Sequence, residues 1–478
     1  MSFLNSVFEL INDLTWGWSL IPFLVIFGVF FTISSRFVQF RYFKRMFGVL
    51  FGKDEYADST KISPRQALFV SIGGRVGGGN IAGVAVAITI GGPGAVFWMW
   101  AIALIGMCSA LVEATLAQLY KRKMPDGNYR GGPARAIIYG LGENYRWLAI
   151  TYCICLIAAF TVGFNAFQGN TVAGAALDSL SIPRYITGGG LAILTGLIVY
   201  GGIHRIAKVS DIIIPVMALG YLAMAVCIIG LNITDVPRVL GDIVANAFGF
   251  EEVVSGGMGA AIAQGLRRGL FSNEAGLGSA PNVAATAHTR HPIEQGITQS
   301  FSVFIDTMII CSCTALVILL GDVYQPGVEG IDGVVLTQQS LVGHMGEWAK
   351  YFLTGAILLF SFSSIMYNYY LGENALSFMT KNKSAIHVLR IGVIAIVFLG
   401  AVAPGATAIF VFSDPMMGIL AIVNLLALIM LFPIALRMIN DFGDQLKAGI
   451  KQPVFDPKKF PELDADPDAW PDAKPSDK

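Results

Sequence analysis

The stretch Gly73–Gly83, GGRVGGGNIAG, interrupts an apolar run that extends from about Ala67 to Ile90. That run is long enough to cross a bilayer, whose hydrocarbon core of about 30 Å needs about 20 apolar residues. Six glycines and an arginine are unsuited to a continuous lipid-facing helix, because glycine destabilises a helix interior by about 1 kcal/mol relative to alanine. Non-helical backbone at membrane depth is tolerated only inside protein or beside a wet cavity. The stretch therefore predicts a broken helix that faces a ligand.

The composition predicts that the whole chain is a polytopic helical membrane protein. Of its 478 residues, 55% are hydrophobic and 13% are charged, whereas soluble domains carry about 25% charged residues. No basic residue precedes the first apolar run, so we do not expect a cleavable signal peptide. The apolar runs predict eleven spans, at approximately 17–35, 67–90, 93–118, 146–176, 186–203, 208–231, 256–287, 296–320, 347–376, 386–411 and 415–437.

Lysine and arginine are concentrated in alternate loops between these spans. Basic residues mark the loops 36–66 and 119–146 and the later loops around Arg205, Arg290 and Lys381, and the loops between them are acidic or neutral. The positive-inside rule then predicts an N-terminus outside and a C-terminus in the cytoplasm.

A second interruption, Ser272–Pro281 (SNEAGLGSAP), lies in the seventh span, five spans after the first. Because five is an odd number of spans, the two broken helices enter the membrane from opposite sides. Paired broken helices in two inverted halves of a chain are typical of secondary transporters. We therefore predict one extra N-terminal helix followed by two inverted five-helix repeats. The predicted parts are an N-terminal span with a cytoplasmic amphipathic segment (1–66), the first repeat (67–231), the second repeat (256–437) and a flexible cytoplasmic tail (442–478).

A helix break of this kind suits a zwitterion and a cation together. Freed N–H groups at the start of the following half-helix favour a carboxylate. Freed carbonyl oxygens suit a hard cation such as Na⁺.

Three sequence blocks resemble the alanine or glycine:cation symporter family, also called the sodium:alanine symporter family. They are GNIAGVAVAITIGGPGAVFWMW (79–100), GLRRGLFSNEAGLGSAP (265–281) and HPIEQGITQSFSVFIDT (291–307). With shorter matches they run from about Ile62 to Glu373 in the family's order. The resemblance implies the leucine-transporter-like fold of the amino acid–polyamine–cation superfamily. It also implies Na⁺-driven uptake of alanine, glycine or another small neutral amino acid at a plasma membrane of the bacterial inner-membrane type.

The resemblance also implies the residues of the site. The substrate would contact the first break, the fourth span and the second break, at Gly77, Gly78, Gly79, Asn80, Asn165, Gln168, Ser272, Asn273, Gly276 and Leu277. Sodium would be held by the hydroxyl groups of Ser363 and Ser364 and the carbonyl groups of Gly73 and Val76.

Arg75 departs from the family pattern, which has a small or hydroxyl residue there and a threonine at the position of Gly78. An arginine at the bilayer centre costs at least about 2.5–3.5 kcal/mol, so something must pair with it. Three interpretations stay open. Arg75 contacts a substrate carboxylate, or it bridges Asp306, Glu274 or carbonyl groups of the break, or it replaces the coupling cation.

The sequence thus predicts a Na⁺-coupled symporter for a small amino acid that works by alternating access. We expect no enzyme activity, no cofactor other than Na⁺ as the coupling ion, and no nucleic-acid partner. The expected partners are the amino acid, Na⁺ and membrane lipid, and the oligomeric state is left open. The alternatives are a Na⁺-independent transporter or exchanger, a transporter of acidic or larger amino acids, and, in another class, an ion channel.

Overall fold

A computed structural model describes residues 10–11, 13–51, 60–249, 257–325, 333–404 and 407–470. In that part the chain is almost entirely helical, with one antiparallel hairpin of β1 (Arg122–Lys123) and β2 (Tyr129–Arg130). π-helical turns over Asp13–Ser19 lead into α1 (Leu20–Ser34). Two short helices follow, α2 (Val38–Arg41) and α3 (Phe43–Phe51).

The first repeat begins at a capping box. Ser63 Oγ accepts a hydrogen bond from Gln66 N at 3.1 Å, and Gln66 Oε1 accepts one from Ser63 N at 3.1 Å. With Pro64 at the first helical position, this arrangement satisfies orphan N–H groups and fixes the start of the helix. The helices of this half are α4 (Pro64–Arg75), α5 (Val84–Gly91), α6 (Gly94–Leu119), α7 (Pro133–Leu141), α8 (Arg146–Leu156), α9 (Asn165–Leu180), α10 (Arg184–Val199) and α11 (Gly202–Leu231). A further helix, α12 (Val236–Ala247), lies between the two repeats.

The second repeat has a matching interruption. Its helices are α13 (Gly257–Asn273), α14 (Pro281–Ala284), α15 (Pro292–Val303), α16 (Ser312–Leu319), α17 (Gly333–Met345), α18 (Trp348–Met379), α19 (Lys383–Val402) and α20 (Thr407–Lys447). π-helical segments Gly79–Gly83, Ile157–Phe164 and Phe304–Cys311 join α5, α9 and α16 to the residues before them. Short 3₁₀ helices lie at Glu143–Tyr145, Pro457–Lys459 and Pro467–Ala469.

Helices lie at the positions of all the predicted spans. In the described part, eight helical stretches are long and apolar enough to cross a bilayer by length and composition, and Gly79–Gly91 and Arg184–Val199 are shorter apolar helices. The helices α12 and α17 were not predicted; they lie in the loops between spans. At the centre, α6 packs against α13 and α15, and α4 packs against α11, α15 and α18.

The C-terminal segment differs from the expectation of a flexible tail. The helix α20 continues to Lys447, and residues up to 470 pack against the body of the protein, with Phe455 and Trp470 buried. The Trp470 ring lies 4.1 Å from Lys121 Nζ, and Arg122 pairs with Asp464 at 2.8 Å. Charge and proline content suggested disorder, but aromatic side chains anchor this segment. The last predicted tail residues, 471–478, lie outside the described residues.

Candidate functional site

The first break forms where α4 ends. Arg75 is the last residue of α4, and Val76 is extended, with φ −74° and ψ 96°. Gly77 N then donates to the Asn80 side-chain oxygen at 3.0 Å instead of to a helical carbonyl. The predicted interruption is therefore present, and an asparagine side chain satisfies part of its freed backbone.

Close packing explains two of the glycines in this break. A Cβ atom on Gly74 would lie 2.4 Å from ring carbons of Tyr367, and one on Gly77 would lie 2.7 Å from Ser364 Oγ. Both distances are too short for a side chain to fit without displacing its neighbour. The glycines thus let α18 approach the backbone of the first break.

The second break requires left-handed backbone. Glu274, Gly276 and Gly278 have φ values of 54°, 87° and 82°. Glycine adopts this region without steric cost, but glutamate does so rarely. The buried Glu274 carboxylate accepts hydrogen bonds from Ser279 Oγ and, at 3.0 Å, from Tyr367 Oη. These bonds support the unusual conformation of Glu274.

Asp306 joins the two breaks. Its Oδ1 accepts from Asn80 Nδ2 at 2.6 Å, and its Oδ2 accepts from Ser272 Oγ at 2.8 Å and Thr307 Oγ1 at 2.9 Å. Asn80 also donates to Ser272 Oγ at 2.9 Å. All four residues are buried. A buried carboxylate needs such compensation, so this cluster fixes both interruptions relative to each other.

The two serines on α18 meet the backbone of the first break. The hydroxyl group of Ser363 lies 2.9 Å from the Gly73 carbonyl and 2.8 Å from the Phe360 carbonyl of its own helix. That of Ser364 approaches the Gly73 and Gly74 carbonyls, each at 3.1 Å. Val76 is also buried, one turn along. Ser363, Ser364 and Gly73, the predicted cation ligands, therefore lie together in the structure, although Gly73 and Ser363 are 290 positions apart in the sequence.

The fourth predicted span contributes Gln168. Its Oε1 accepts from Gly78 N at 3.4 Å. Asn165, one turn earlier, donates to the Thr161 carbonyl of its own helix at 3.0 Å, and its Oδ1 has no partner in the described part of the chain. Gly78 is closely surrounded, because a Cβ atom there would lie 3.2 Å from the Phe167 ring.

The remaining predicted residues lie around the second break. Asn273 Oδ1 accepts from Ala275 N at 3.0 Å and its Nδ2 donates to Thr307 at 3.3 Å. The Gly276 carbonyl accepts from Asn424 Nδ2 at 2.9 Å, and a Cβ atom on Gly276 would lie 2.5 Å from the Leu24 side chain of α1. Leu277 is fully buried. Asn273 thus contacts the Asp306 cluster, whereas Gly276 faces α1 and α20.

An aromatic cluster covers the other side of the first break. Phe164 stacks on Phe271 with centroids 4.9 Å apart, and on Phe160 at 4.7 Å. A Cβ atom on Gly79 would lie 3.3 Å from the Phe271 ring. Sequence analysis did not single out these rings, which come from both repeats.

Arg75 is buried, with 3% of its surface exposed. Its Nη1 donates to Ser302 Oγ and, at 3.3 Å, to the Gln299 carbonyl, both on α15. Among the described residues, Nε and Nη2 have no hydrogen-bond partner. These two atoms form the edge with which arginine binds a carboxylate side-on.

Three buried acidic side chains surround this guanidinium at longer range. Glu113, Glu274 and Asp306 are close enough to interact with Arg75 electrostatically. No ion pair within 4 Å joins Arg75 to them in the described ranges. The positive charge of Arg75 is therefore balanced at a distance by these three acidic side chains, without a direct salt bridge.

The comparison with known families gives the identification. The model of the sodium:alanine symporter family matches residues 1–457. The chain belongs to this family. Its relatives include the amino-acid carrier protein AlsT of Bacillus subtilis (strain 168), 45% identical over 474 residues, with 99% of each chain covered. A probable sodium/glutamine symporter, GlnT, of the same organism is 45% identical over 452 residues, covering 95% of this chain and 93% of its own.

A more distant member of the family is the sodium/proton-dependent alanine carrier protein of Bacillus sp. (strain PS3). It is 34% identical over 416 residues, covering 84% of this chain and 92% of its own. The family and these relatives are transporters, so the chain is a membrane transporter and not an enzyme.

Solved structures agree on the fold. The crystal structure of MhsT in complex with L-phenylalanine matches with a TM-score of 0.55 at 15% identity, covering 79% of this chain and 98% of that one. A manganese transporter of Eremococcus coleocola matches with a TM-score of 0.52 at 13% identity, covering 81% and 80%. The predicted leucine-transporter-like fold is thus confirmed.

Proposed function

We propose that this protein couples the uptake of a small neutral amino acid to the entry of Na⁺ by alternating access, with its N-terminus outside and its C-terminus in the cytoplasm. The observation that carries the proposal is the convergence of Ser363 and Ser364 hydroxyl groups on the Gly73 carbonyl beside a broken helix. Oxygen ligands of this kind suit a hard monovalent cation. In this proposal the hydroxyl hydrogens of Ser363 and Ser364 turn away from the Gly73 carbonyl, and Na⁺ binds the two hydroxyl oxygens. The carbonyl oxygens of Gly73 and Val76 would complete the site.

The amino acid would bind beside that cation, between the two breaks. Backbone N–H groups of Gly78 and Gly79 would receive its carboxylate, since the end of an interrupted helix favours negative charge. Gln168, Asn165, Ser272 and Asn273 would surround its ammonium group and side chain. Relatives are named for alanine, for glutamine and for amino acids in general. We propose alanine or glycine because Phe167 and Phe271 crowd the first break.

Arg75 would supply a second contact to the substrate carboxylate. Its Nη1 is held by α15 while Nε and Nη2 keep their donors available. The Arg75→Thr variant should then bind alanine less tightly and still respond to Na⁺. An equivalent change on the same helix, Arg65→Thr, removes a half-exposed side chain 3.8 Å from Asp211 and serves as the control. If Arg75 replaces the cation instead, the native protein will transport without Na⁺ and the variant will acquire a Na⁺ response.

The energy available is sufficient for uptake. One Na⁺ moving down a tenfold gradient and about 100 mV supplies roughly 1.4 plus 2.3 kcal/mol, which supports several-hundredfold accumulation. The test is a substrate panel in proteoliposomes with and without Na⁺. We expect saturable, Na⁺-dependent uptake of alanine or glycine that exceeds that of glutamine and glutamate. Uptake without saturation would indicate a channel.

A further inference from the structure

A cavity of about 370 Å³ lies where α1 ends, between the turn that follows α1 and the last part of α20. We call it the α1–α20 cavity. Its polar lining includes Ser34, Ser35, Arg36, Arg41, Asn440 and Lys447. Its lining contains no residue of either helix break.

The cavity is predominantly cationic. Arg36, Arg41 and Lys447 contribute three positive charges, and Asp444 is the carboxylate in the lining. Asp444 pairs with Lys447 at 2.9 Å, but both side chains are more than two-thirds exposed, and such pairs contribute little. Arg41 lies over the Tyr42 ring at 5.0 Å. In the part of the chain that the structure describes, neither Arg36 nor Arg41 has a carboxylate partner within 4 Å.

The backbone presents these charges at the edge of the apolar region. Arg36 and Phe37 have φ values of 57° and 55°, a left-handed conformation that non-glycine residues adopt rarely. The turn directs α2 and α3 away from α1, which is apolar enough to cross a membrane. Phe37, Phe40 and Phe47 expose 52%, 46% and 42% of their surface beside this basic cluster. Exposed phenylalanine next to arginine is typical of a segment lying in the membrane interface.

We propose that the α1–α20 cavity binds the phosphate headgroup of an anionic phospholipid, with the acyl chains lying against the exposed phenylalanines. Guanidinium groups match phosphate oxygens in a bidentate geometry, and Ser34 and Asn440 in the lining offer further donors. A free phosphate ion would use the same cations but would gain nothing from the apolar side chains. The adjacent apolar surface therefore favours a lipid over a soluble anion.

The bound lipid would stabilise the contact between α1 and α20. These helices pack through Phe31 and Phe432, whose ring centroids are 4.5 Å apart. A headgroup bridging Arg36 or Arg41 to the end of α20 would reinforce this contact, since Phe31 lies about one turn from the cavity residue Ser34. Lipid binding should thus be visible as an increase in the melting temperature of the whole protein.

The test measures binding of phosphatidylglycerol to the full-length protein purified in a neutral detergent. Phosphatidylcholine with the same acyl chains and inorganic phosphate are titrated in parallel, with melting temperature and lipid binding as readouts. Each arginine near an anionic lipid surface contributes about 1 kcal/mol, which is about fivefold in affinity. We expect phosphatidylglycerol affinity to fall about fivefold in Arg41→Gln and further in Arg36→Gln/Arg41→Gln. Both arginines are exposed, so the lipid-free melting temperature should not change.

A matched control removes two other exposed cations. Lys381 and Lys383 lie in a different basic loop and are exposed, and Lys381→Gln/Lys383→Gln should bind phosphatidylglycerol as the native protein does. Equal losses in the two double variants would mean a general surface-charge effect and would overturn the proposal. So would stabilisation by inorganic phosphate as large as that by phosphatidylglycerol, or unchanged lipid affinity in Arg36→Gln/Arg41→Gln.

Discussion

The Asn80→Ala variant examines whether the Asp306 cluster shapes the substrate site. The substitution removes a donor 2.6 Å from Asp306 Oδ1, a donor 2.9 Å from Ser272 Oγ and an acceptor 3.0 Å from Gly77 N. A hydrogen bond to a charged group contributes about 1.5–3 kcal/mol. Loss of the bond to Asp306 alone therefore corresponds to roughly tenfold to 150-fold in an equilibrium constant. We expect alanine affinity to fall by at least about tenfold.

The protein should still fold, because Ser272 and Thr307 continue to donate to Asp306. The assay is equilibrium binding of labelled alanine at saturating Na⁺, with size-exclusion chromatography to check folding. Asn246→Ala is the matched control, since Asn246 is buried and donates to the Asp242 carbonyl of its own helix at 2.8 Å. An alanine affinity within about twofold of the native value in well-folded Asn80→Ala protein would refute the assignment.

Three further predictions concern the cation, the packing of the break and the buried Lys121. Replacing Ser363 and Ser364 together by alanine should weaken the apparent Na⁺ affinity by about tenfold or more, whereas Ser361→Ala, whose hydroxyl has no partner in the described chain, should leave the Na⁺ titration unchanged. Gly74→Ala should destabilise the protein by about 1–3 kcal/mol through overpacking against Tyr367, measured as a lower melting temperature, while Gly83→Ala, with no atom within 4 Å of its Cβ, should not. Burial lowers the pKa of Lys121 to about 7, so between that pH and the usual lysine pKa of about 10.4 the unfolded chain binds more protons and the free energy of unfolding rises with pH. Lys121→Met should flatten that rise in a series of melting curves, and an unchanged slope would mean that Lys121 does not cause it.

The positions of the helices could be predicted because they depend on features of neighbouring residues in the sequence. Apolar runs of membrane length, glycine-rich interruptions and loop charges can all be read along the chain. The break at Val76 follows from its glycines, and the second break follows from the Gly276 and Gly278 positions. The short helices α12 and α17 could not be found by membrane-span length, because they lie in loops.

The contacts of the site depend on residues that are distant in sequence. The family resemblance predicted that Ser363 and Ser364 share a site with Gly73, and in the structure both hydroxyl groups contact the Gly73 carbonyl. The sequence offered Asp306 only as one partner for Arg75, whereas in the structure Asp306 is bound by Asn80 and Ser272 from two other segments. The packing of Trp470 on Lys121 likewise joins residues about 350 positions apart. Sequence periodicity does not indicate which distant residues meet. The Asp306 cluster and the packing of the C-terminal segment could therefore be seen only in the structure.

In the proposed function, Na⁺ entry drives amino-acid uptake. The most direct measurement is alanine uptake into proteoliposomes containing the purified protein, with an inward Na⁺ gradient compared with an equal K⁺ gradient. We expect alanine to accumulate above its external concentration only with Na⁺, and the accumulation to collapse when the gradient is dissipated. Equal accumulation with K⁺, or equilibration without accumulation under the Na⁺ gradient, would contradict it.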